Sequence, residues 1–351
     1  MGESLITRRA GAGGGGEATI TFENYSHATN LTHISASDLS SARRELSGTS
    51  VGEYALFAGG FANSGNSSTV DAYNTSLTRS TPTALSVARN YLSGASVGEY
   101  ALFAGGVIGG SFSPTVDAYN TSLTRSTPTA LSVARGYLSG ASVGEYALFA
   151  GGTGSSYFTT VDAYNTSLTR STPTALSVAR TYLSGASVGE YALFAGGNAG
   201  SSFSPTVDAY NTSLTRSTPT ALSEARGYLS GASVGEHALF AGGQASSYYS
   251  TVDAYNTSLT RSTPTALSEA KRYLSGTSVG KYALFAGGYG NSGNSSKVDA
   301  YCDILELSLF PNTKYKLNDM PSEQTSTSFQ ILTISTPVNG YMKIQNATVQ
   351  N

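Results

Sequence analysis

Residues 51–71 read VGEYALFAGGFANSGNSSTVD, and most of this stretch returns five more times with few changes. The glycine of the VGEY-type tetrapeptide recurs with spacings of 46, 46, 45, 46 and 45 residues, at Gly52, Gly98, Gly144, Gly189, Gly235 and Gly280. A period of this length is typical of propellers and some solenoids. The repeat therefore narrows the fold class before any single residue is considered.

Each unit contains four short segments with strand character. In the second unit they are LSGASV (92–97), YALFAGG (100–106), TVDAYN (115–120) and RSTPTALS (125–132). We name them strands A, B, C and D. The small residues of A suit a crowded inner strand, and the proline of D suits an outer edge. Because no helical pattern of adequate length is present, we predict an all-β, six-bladed propeller of four-stranded blades.

The units resemble kelch repeats. Gly59-Gly60 follows an apolar strand, Tyr73 comes next and Arg89 opens the following unit, and this set recurs through Gly287-Gly288 and Tyr301. The resemblance covers residues 40–302 and implies the propeller fold. Kelch units usually carry a tryptophan in the fourth strand, but this chain has none. We therefore expect Tyr91-type residues and arginine stems to pack between blades.

The chain divides into a flexible Gly-rich segment (1–18), the propeller (19–302) and a small β-rich tail (303–351). The sixth unit lacks an RSTPTALS strand, whereas NLTHISASDLSSARREL before the first unit mimics that region. We expect residues 30–39 to close the ring as the missing outer strand, with residues 304–309 as the alternative. Both terminal segments resemble tail or structural proteins of phages of Gram-positive bacteria, which implies attachment to a larger assembly.

Composition excludes several classes of function. Charged residues make up 12% of the 351 residues and the net charge is -2, so no basic surface for nucleic acid is expected. No apolar run is long enough to span a bilayer or to form a secretory signal, which predicts a cytoplasmic or virion-associated protein without membrane insertion. GAGGGG at 11–16 lacks the Lys-Ser/Thr of a phosphate loop and reads as a linker.

The chemistry-bearing residues do not form a catalytic pattern. Copper enzymes that share the kelch fold need histidine, tyrosine and cysteine. Here His27 and His33 lie near the predicted closing segment, and His237 and Cys302 are best explained as drift within repeats. We expect no metal and no cofactor. Glu53-type residues in the A–B turn, Asp71-type residues in strand C and Arg89-type residues before strand A recur in nearly every unit. We expect structural roles for them, because an active site normally breaks such symmetry.

Two positions vary among the copies, and in a propeller both lie on one face. One is the B–C segment; the other is the D–A connection, at Arg44, Asn90, Gly136, Thr181, Gly227 and Arg272. Each B–C segment combines small polar residues with an aromatic, a composition that suits recognition. The predicted ligand-binding residues are Phe61, Asn90, Phe112, Tyr157, Phe158, Thr181, Phe203, Tyr248, Tyr249, Arg272 and Tyr289. Neutral drift in tolerant surface loops is the competing interpretation.

These observations favour a non-enzymatic binding or structural protein whose variable loops recognise a protein or glycan. With the phage resemblance, the hypothesis becomes a virion-associated protein that recognises a host-surface ligand. A sugar-active enzyme of the mutarotase or epimerase type is one alternative. It requires a polar pair that breaks the symmetry, for which Glu224 and Glu269 are the candidates. A cytoplasmic scaffold that binds an acidic peptide is the other alternative.

Overall fold

The computed structural model describes residues 17–22, 37–302 and 344–350. Residues 37–302 form six consecutive antiparallel sheets, which we number 1 to 6. In sheets 1 to 5 the strands pair in the order A–B–C–D, and sheet 6 has strands A, B and C. Repeated four-stranded sheets confirm the all-β, propeller-like prediction. Among the described residues, no helix is long and apolar enough to cross a membrane.

The strand bounds repeat closely from sheet to sheet. Strands A to D are Ser47–Val51, Tyr54–Ala58, Val70–Tyr73 and Arg79–Ser80 in sheet 1; Ser93–Val97, Tyr100–Ala104, Val116–Asn120 and Arg125–Ser126 in sheet 2; Ser139–Val143, Tyr146–Ala150, Val161–Asn165 and Arg170–Ser171 in sheet 3; Ser184–Val188, Tyr191–Ala195, Val207–Asn211 and Arg216–Ser217 in sheet 4; Ser230–Val234, His237–Ala241, Val252–Asn256 and Arg261–Ser262 in sheet 5; and Ser275–Val279, Tyr282–Ala286 and Val298–Cys302 in sheet 6.

Strand D is shorter than its sequence pattern predicts. In sheet 2 it comprises only Arg125–Ser126 and ends two residues before Pro128. A proline has no amide hydrogen for the ladder, so pairing stops before it. The rest of the predicted strand becomes the connection to the next sheet, and this connection positions the residues described below.

The core lies between neighbouring sheets. Phe149 and Tyr164 of sheet 3 pack against Leu102 and Val116 of sheet 2, together with Leu131 of the connection. Within each sheet the phenylalanine and tyrosine meet edge to face, at centroid distances such as 6.1 Å in sheet 3. This aromatic pair and the connection leucine fill the space between sheets in a chain that lacks tryptophan.

Strand A is the inner strand, as its small residues predict. A Cβ built on Gly140 would lie 2.4 Å from the carbonyl oxygen of Gly94 in the preceding sheet, so no side chain fits there. Beside it, the hydroxyl of Ser142 donates to the carbonyl oxygen of Ser96 at 2.7 Å. LSGASV therefore requires glycine and serine because neighbouring backbones come into close contact there.

Within the described residues, the six sheets do not close into a ring. Val279 and Val298 of sheet 6 are each 55% exposed, whereas the equivalent Val97 and Val116 are 3% and 1% exposed. Of the predicted closing segment, residues 30–36 lie outside the described part of the chain, as does the alternative at 304–309. Ser37 lies beside sheet 1, where its carbonyl oxygen accepts a hydrogen bond from the hydroxyl of Tyr73 at 2.8 Å.

The two ends of the chain contribute a separate two-stranded sheet. Glu17–Phe22 pairs antiparallel with Ile344–Gln350, and both strands belong to a compact unit distinct from Ser35–Asp303. A strand within the predicted β-rich tail is thus present, although its partner comes from the N-terminal part of the chain. The remaining tail, residues 303–343, lies outside the described residues.

Candidate binding face

The two variable positions of each repeat lie side by side. The residue that varies in the D–A connection exchanges two backbone hydrogen bonds with the first residue of the B–C segment in units 1 to 5. In unit 2 these bonds join Asn90 and Val107, at 3.2 and 2.8 Å. In unit 6 the equivalent pair is Arg272 and Tyr289. The two variable sites of each unit are therefore in direct contact, as expected if they share one face. We call the surface that they form the loop face.

The B–C segments are miniature hairpins. In units 2 to 5, their first residue also pairs with the aromatic residue across the loop, as Val107 does with Phe112 and Thr153 with Tyr157. Short strands pair in units 1 and 2, Phe61–Ala62 with Gly65–Asn66 and Val107–Ile108 with Ser111–Phe112. In unit 6, Tyr289–Gly290 pairs with Lys271–Arg272 on one side and with Gly293–Asn294 on the other. Each hairpin thus presents an aromatic side chain from a backbone fixed on both sides.

Buried ion pairs hold the connection beneath the loop face. Arg135 and Asp162 have no exposed side-chain surface, and Arg135 Nη2 lies 2.8 Å from Asp162 Oδ2. Arg135 also donates to the carbonyl oxygen of Phe149, and Asp162 accepts from the backbone and hydroxyl of Ser132. The equivalent pairs are Arg43–Asp71, Arg89–Asp117, Arg180–Asp208, Arg226–Asp253 and Lys271–Asp299. The structural role expected for these charges is confirmed.

The pKa of Asp71 reflects this packing. Burial alone raises it, but hydrogen bonds from Ser40 and Arg43, together with the charge of Arg43, outweigh burial and leave the pKa below the usual 3.8. Arginines of strand D join the same cluster, as Arg79 Nη1 lies 3.3 Å from Asp71 Oδ1. The arginines near the expected tryptophan position therefore bind the strand C aspartate.

The predicted binding residues differ in accessibility. Tyr157 and Tyr289 are exposed, at 37% and 42%. The other predicted aromatics are half-buried: Phe61, Phe112, Phe158, Phe203, Tyr248 and Tyr249. Asn90 and Thr181 are only 6% and 1% exposed, so a ligand on the surface has little access to them. The amide of Asn90 instead donates to Glu45 Oε2 at 2.7 Å.

The rings of five tyrosines contact one another beside the variable connections. This arrangement was not predicted from the sequence as a candidate site. Consecutive rings of Tyr91, Tyr137, Tyr182, Tyr228 and Tyr273 have centroid distances of 4.1, 4.7, 4.2 and 4.9 Å. Each follows a variable connection residue and has a left-handed backbone, with φ between 51° and 57°. Glu45, with φ 60°, occupies the equivalent position before sheet 1. We call these six residues the tyrosine–glutamate series.

The phenol groups of the series lie close enough to influence one another. Burial raises the pKa of Tyr182, and the phenols of Tyr137, Tyr228, Tyr273 and Tyr91 raise it further. Burial also raises the pKa of Tyr91, and its hydrogen bond to Glu45 and the charge of Glu45 add to the rise. The phenols of Tyr91 and Tyr182 therefore stay protonated at neutral pH and can donate hydrogen bonds.

Arg272 lies among aromatic rings at one end of the series. Its guanidinium carbon is 4.8 Å from the ring centroid of Tyr273, 5.5 Å from Tyr248, 5.7 Å from Tyr289 and 6.0 Å from Tyr228. Its Nη1 donates to Gln244 Oε1. The predicted residues Tyr248, Arg272 and Tyr289 are thus brought together, and the arginine ties two B–C loops to the tyrosines.

The remaining sequence candidates have local partners or other positions. Glu224 accepts from the hydroxyl of Thr251 at 2.7 Å, and Glu269 accepts from Ser295. His237 and Cys302 both line a largely apolar pocket of about 160 Å³. Within the described part of the chain, no group of three or more His, Cys, Asp or Glu residues is placed to hold a metal ion.

The glutamates of the A–B turns belong to the opposite end of the sheets. They are exposed, at Glu53, Glu99, Glu145, Glu190 and Glu236. The A–B turns pack against the following sheet: a Cβ on Gly98 would lie 2.9 Å from Thr166 Cγ2 in the next C–D turn. These constant turns thus combine exposed glutamates with a close contact to the next sheet.

Comparisons with known proteins support the fold. No protein-family model matches the chain, and no curated protein matches it either. Among solved structures, "Structure of YjhT", which describes a kelch-type propeller protein, has a TM-score of 0.59 and 11% sequence identity, covering 76% of this chain and 96% of that one. At this identity the likeness shows the fold alone. It fits a kelch-like β-propeller, whereas the likeness of the terminal segments to phage proteins gains no support.

Proposed function

We propose that this protein is a non-enzymatic binding module that recognises a protein or glycan through its loop face. The observation that carries the proposal is the pairing of the variable connection with the variable B–C hairpin in each unit. Variation among the copies is thereby concentrated on one surface. A fixed framework with replaceable side chains on one face is the arrangement that binding proteins use to present adaptable contacts.

The chemistry of the loop face suits a ligand with both apolar and hydroxyl surface. Tyr157 and Tyr289 offer exposed aromatic area, and the surrounding serine, glycine and asparagine residues offer small polar contacts. A host-surface glycan fits this composition, because aromatic rings stack on the apolar faces of sugars while polar groups bind their hydroxyls. Attachment to a virion is a separate part of the proposal, and it rests on the terminal segments alone.

A pull-down on bacterial envelopes, together with a glycan array, tests the loop face. The variant Phe112→Ala, Tyr157→Ala, Tyr248→Ala removes one aromatic side chain from each of three hairpins. We expect its binding to fall by at least about tenfold, since aromatic anchors dominate such interfaces.

The matched control changes the opposite end of the molecule. The variant Glu53→Gln, Glu99→Gln, Glu145→Gln alters three exposed turn residues and should bind as the unmodified protein does. If the aromatic triple variant binds fully, or if the turn variant loses binding equally, recognition does not use the loop face.

A sugar-active enzyme is the second candidate, and Glu45 is the observation that favours it. Its carboxylate is the single acidic group in the tyrosine–glutamate series, which supplies the asymmetry that an active site requires. Anomer exchange of sugars, followed by proton NMR with the unmodified chain and Glu45→Gln, tests this activity. Exchange that the unmodified chain accelerates and Glu45→Gln does not would favour the enzyme over the binding module.

A further inference from the structure

We propose that the tyrosine–glutamate series is the primary subsite of the loop face and that it takes a neutral, polyhydroxylated group, a single sugar residue. The inference deepens the proposed function and rests on it, since it names the class of ligand. Three properties of the series support this assignment: its hydroxyl groups, its fixed carboxylate and its balance of charge.

The hydroxyl groups supply matched donors and acceptors. The ring centroid of Tyr137 lies 4.1 Å from that of Tyr91 and 4.7 Å from that of Tyr182, so the tyrosines of the series form one continuous cluster. A phenol can donate one hydrogen bond and accept others, as a sugar hydroxyl can. Because adjacent rings are in contact, a sugar would rest on the hydroxyls and ring edges rather than between the rings.

Glu45 is a fixed acceptor at the start of the series. Its Oε1 accepts from the Tyr91 hydroxyl at 2.5 Å and lies 3.2 Å from Arg44 Nε, while its Oε2 accepts from the Asn90 amide at 2.7 Å. A carboxylate offers about four acceptor sites, so capacity remains for a ligand hydroxyl. We assign Asn90 as a positioning residue, because it is buried and acts through Glu45.

The charges around the series favour a neutral ligand. The charge of Glu45 is balanced by Arg44, and Arg272 adds a second positive charge near Tyr273. A cationic ligand would meet these two arginines. An anionic ligand would meet the carboxylate, while both arginines are already engaged, Arg44 by Glu45 and Arg272 by aromatic rings and Gln244. An uncharged sugar meets neither penalty and can still form charge-assisted hydrogen bonds with Glu45.

The repeat itself offers a variant that keeps the fold. Glu45→Tyr installs the residue that stands at the other five positions with nearly the same backbone angle, so folding should persist while the carboxylate is lost. Tyr182→Phe removes one hydroxyl from the middle of the series. Far-UV circular dichroism and thermal unfolding establish that both variants are folded before binding is compared.

Titrations followed by NMR use three sugars that differ mainly in charge: N-acetylglucosamine, glucosamine and glucuronic acid, at pH 7. We expect saturable binding of N-acetylglucosamine, weaker binding of the charged sugars, and a loss of about tenfold or more in Glu45→Tyr, as for one charge-assisted hydrogen bond. Tyr182→Phe should weaken the same sugar. Preference for either charged sugar, no saturable binding, or unchanged binding in Glu45→Tyr would overturn the proposal.

Two further variants separate this inference from the proposed function. Asn90→Gly places the residue of unit 3 beside Glu45. If Asn90 only positions the carboxylate, Asn90→Gly should weaken the binding of N-acetylglucosamine when Glu45 is present. It should have no effect on that binding in the Glu45→Tyr background. The aromatic triple variant is compared for envelope binding alone, because Tyr248 contacts Arg272 beside the series. Envelope binding that depends on the loops, with no sugar binding at the series, would defeat this inference and leave the proposed function standing.

Discussion

Replacing Asp162 by asparagine should destabilise the protein severely, because it leaves a buried arginine without its counter-charge. Both side chains of the Arg135–Asp162 pair are fully buried and 2.8 Å apart. Burial lowers the pKa of Arg135, and the charge of Asp162 opposes that shift. The asparagine can still accept from the backbone of Ser132 but cannot neutralise the guanidinium. Breaking a buried pair in this way costs about 3–5 kcal/mol.

Equilibrium unfolding in urea measures the effect as a shift in midpoint at constant slope. Asp299→Asn is the internal control. Asp299 is 11% exposed, although its partner Lys271 is buried, so water reaches the pair and we expect a smaller loss than in Asp162→Asn. The double variant Arg135→Met, Asp162→Leu removes both charges and should recover most of the stability. A loss below about 1 kcal/mol in Asp162→Asn, or no recovery in the double variant, would refute the reasoning.

Three further predictions follow from single contacts. Tyr119→Phe leaves the carbonyl oxygen of Thr83 without its 2.7 Å partner and should lower the free energy of unfolding by about 1 kcal/mol in urea. Gly140→Ala should lower it by about 2 kcal/mol or more, because its Cβ meets the Gly94 backbone at 2.4 Å. The lowered pKa of Asp71 stabilises the fold above pH 3.8; thermal unfolding against pH should show that contribution vanish as pH falls through the depressed value.

Each of these predictions has a matched comparison. Gly48→Ala places a Cβ 3.3 Å from the ring of Phe57, which can move, so it should be milder than Gly140→Ala. Equal losses would contradict the packing argument. Asp71→Asn should flatten the acid limb of the pH profile, and an unchanged limb would show that another group controls it. For Tyr119→Phe, unfolding unchanged from that of the parent would contradict a stabilising role of the hydroxyl.

Much of the architecture can be predicted from the sequence, because the six copies of the unit each show the same residues at the same structural positions. The period predicts consecutive sheets, the diglycine marks the end of strand B, and the small residues of LSGASV predict the inner strand. The sequence overestimates the length of strand D. Its proline indicates an edge strand, but the residue at which pairing stops depends on tertiary contacts. The ring closure expected between sheets 6 and 1 depends on residues 30–39 or 304–309, whose sequence departs from the repeat, so the repeat pattern predicts less there.

The tyrosine–glutamate series shows why a site is harder to predict than a fold. Tyr91-type residues resemble ordinary packing aromatics, and nothing in their sequence signals a left-handed backbone, which is uncommon outside glycine and asparagine. The available signal was ARREL before the first unit, where the other copies have tyrosine in place of Glu45. Glu45 breaks the symmetry of the copies as Glu224 and Glu269 do, but it lies in the segment before sheet 1.

The contrast between the two ends of the molecule explains how one face can vary while the framework stays constant. The bridges of the loop face join backbone amides and carbonyls, as between Gly136 and Thr153, so these hydrogen bonds do not depend on the side chain, except that proline lacks the amide hydrogen. The opposite turns make side-chain contacts with the next sheet, as between Gly98 and Thr166. A substitution there disturbs an interface between sheets. A side chain at Gly136 would leave its two backbone hydrogen bonds in place, but its Cβ would lie 2.9 Å from Val107 Cγ2 in the neighbouring hairpin. The backbone bridges thus persist whatever side chain the variable positions carry, and Glu45→Tyr tests whether sugar binding can change while the fold is kept.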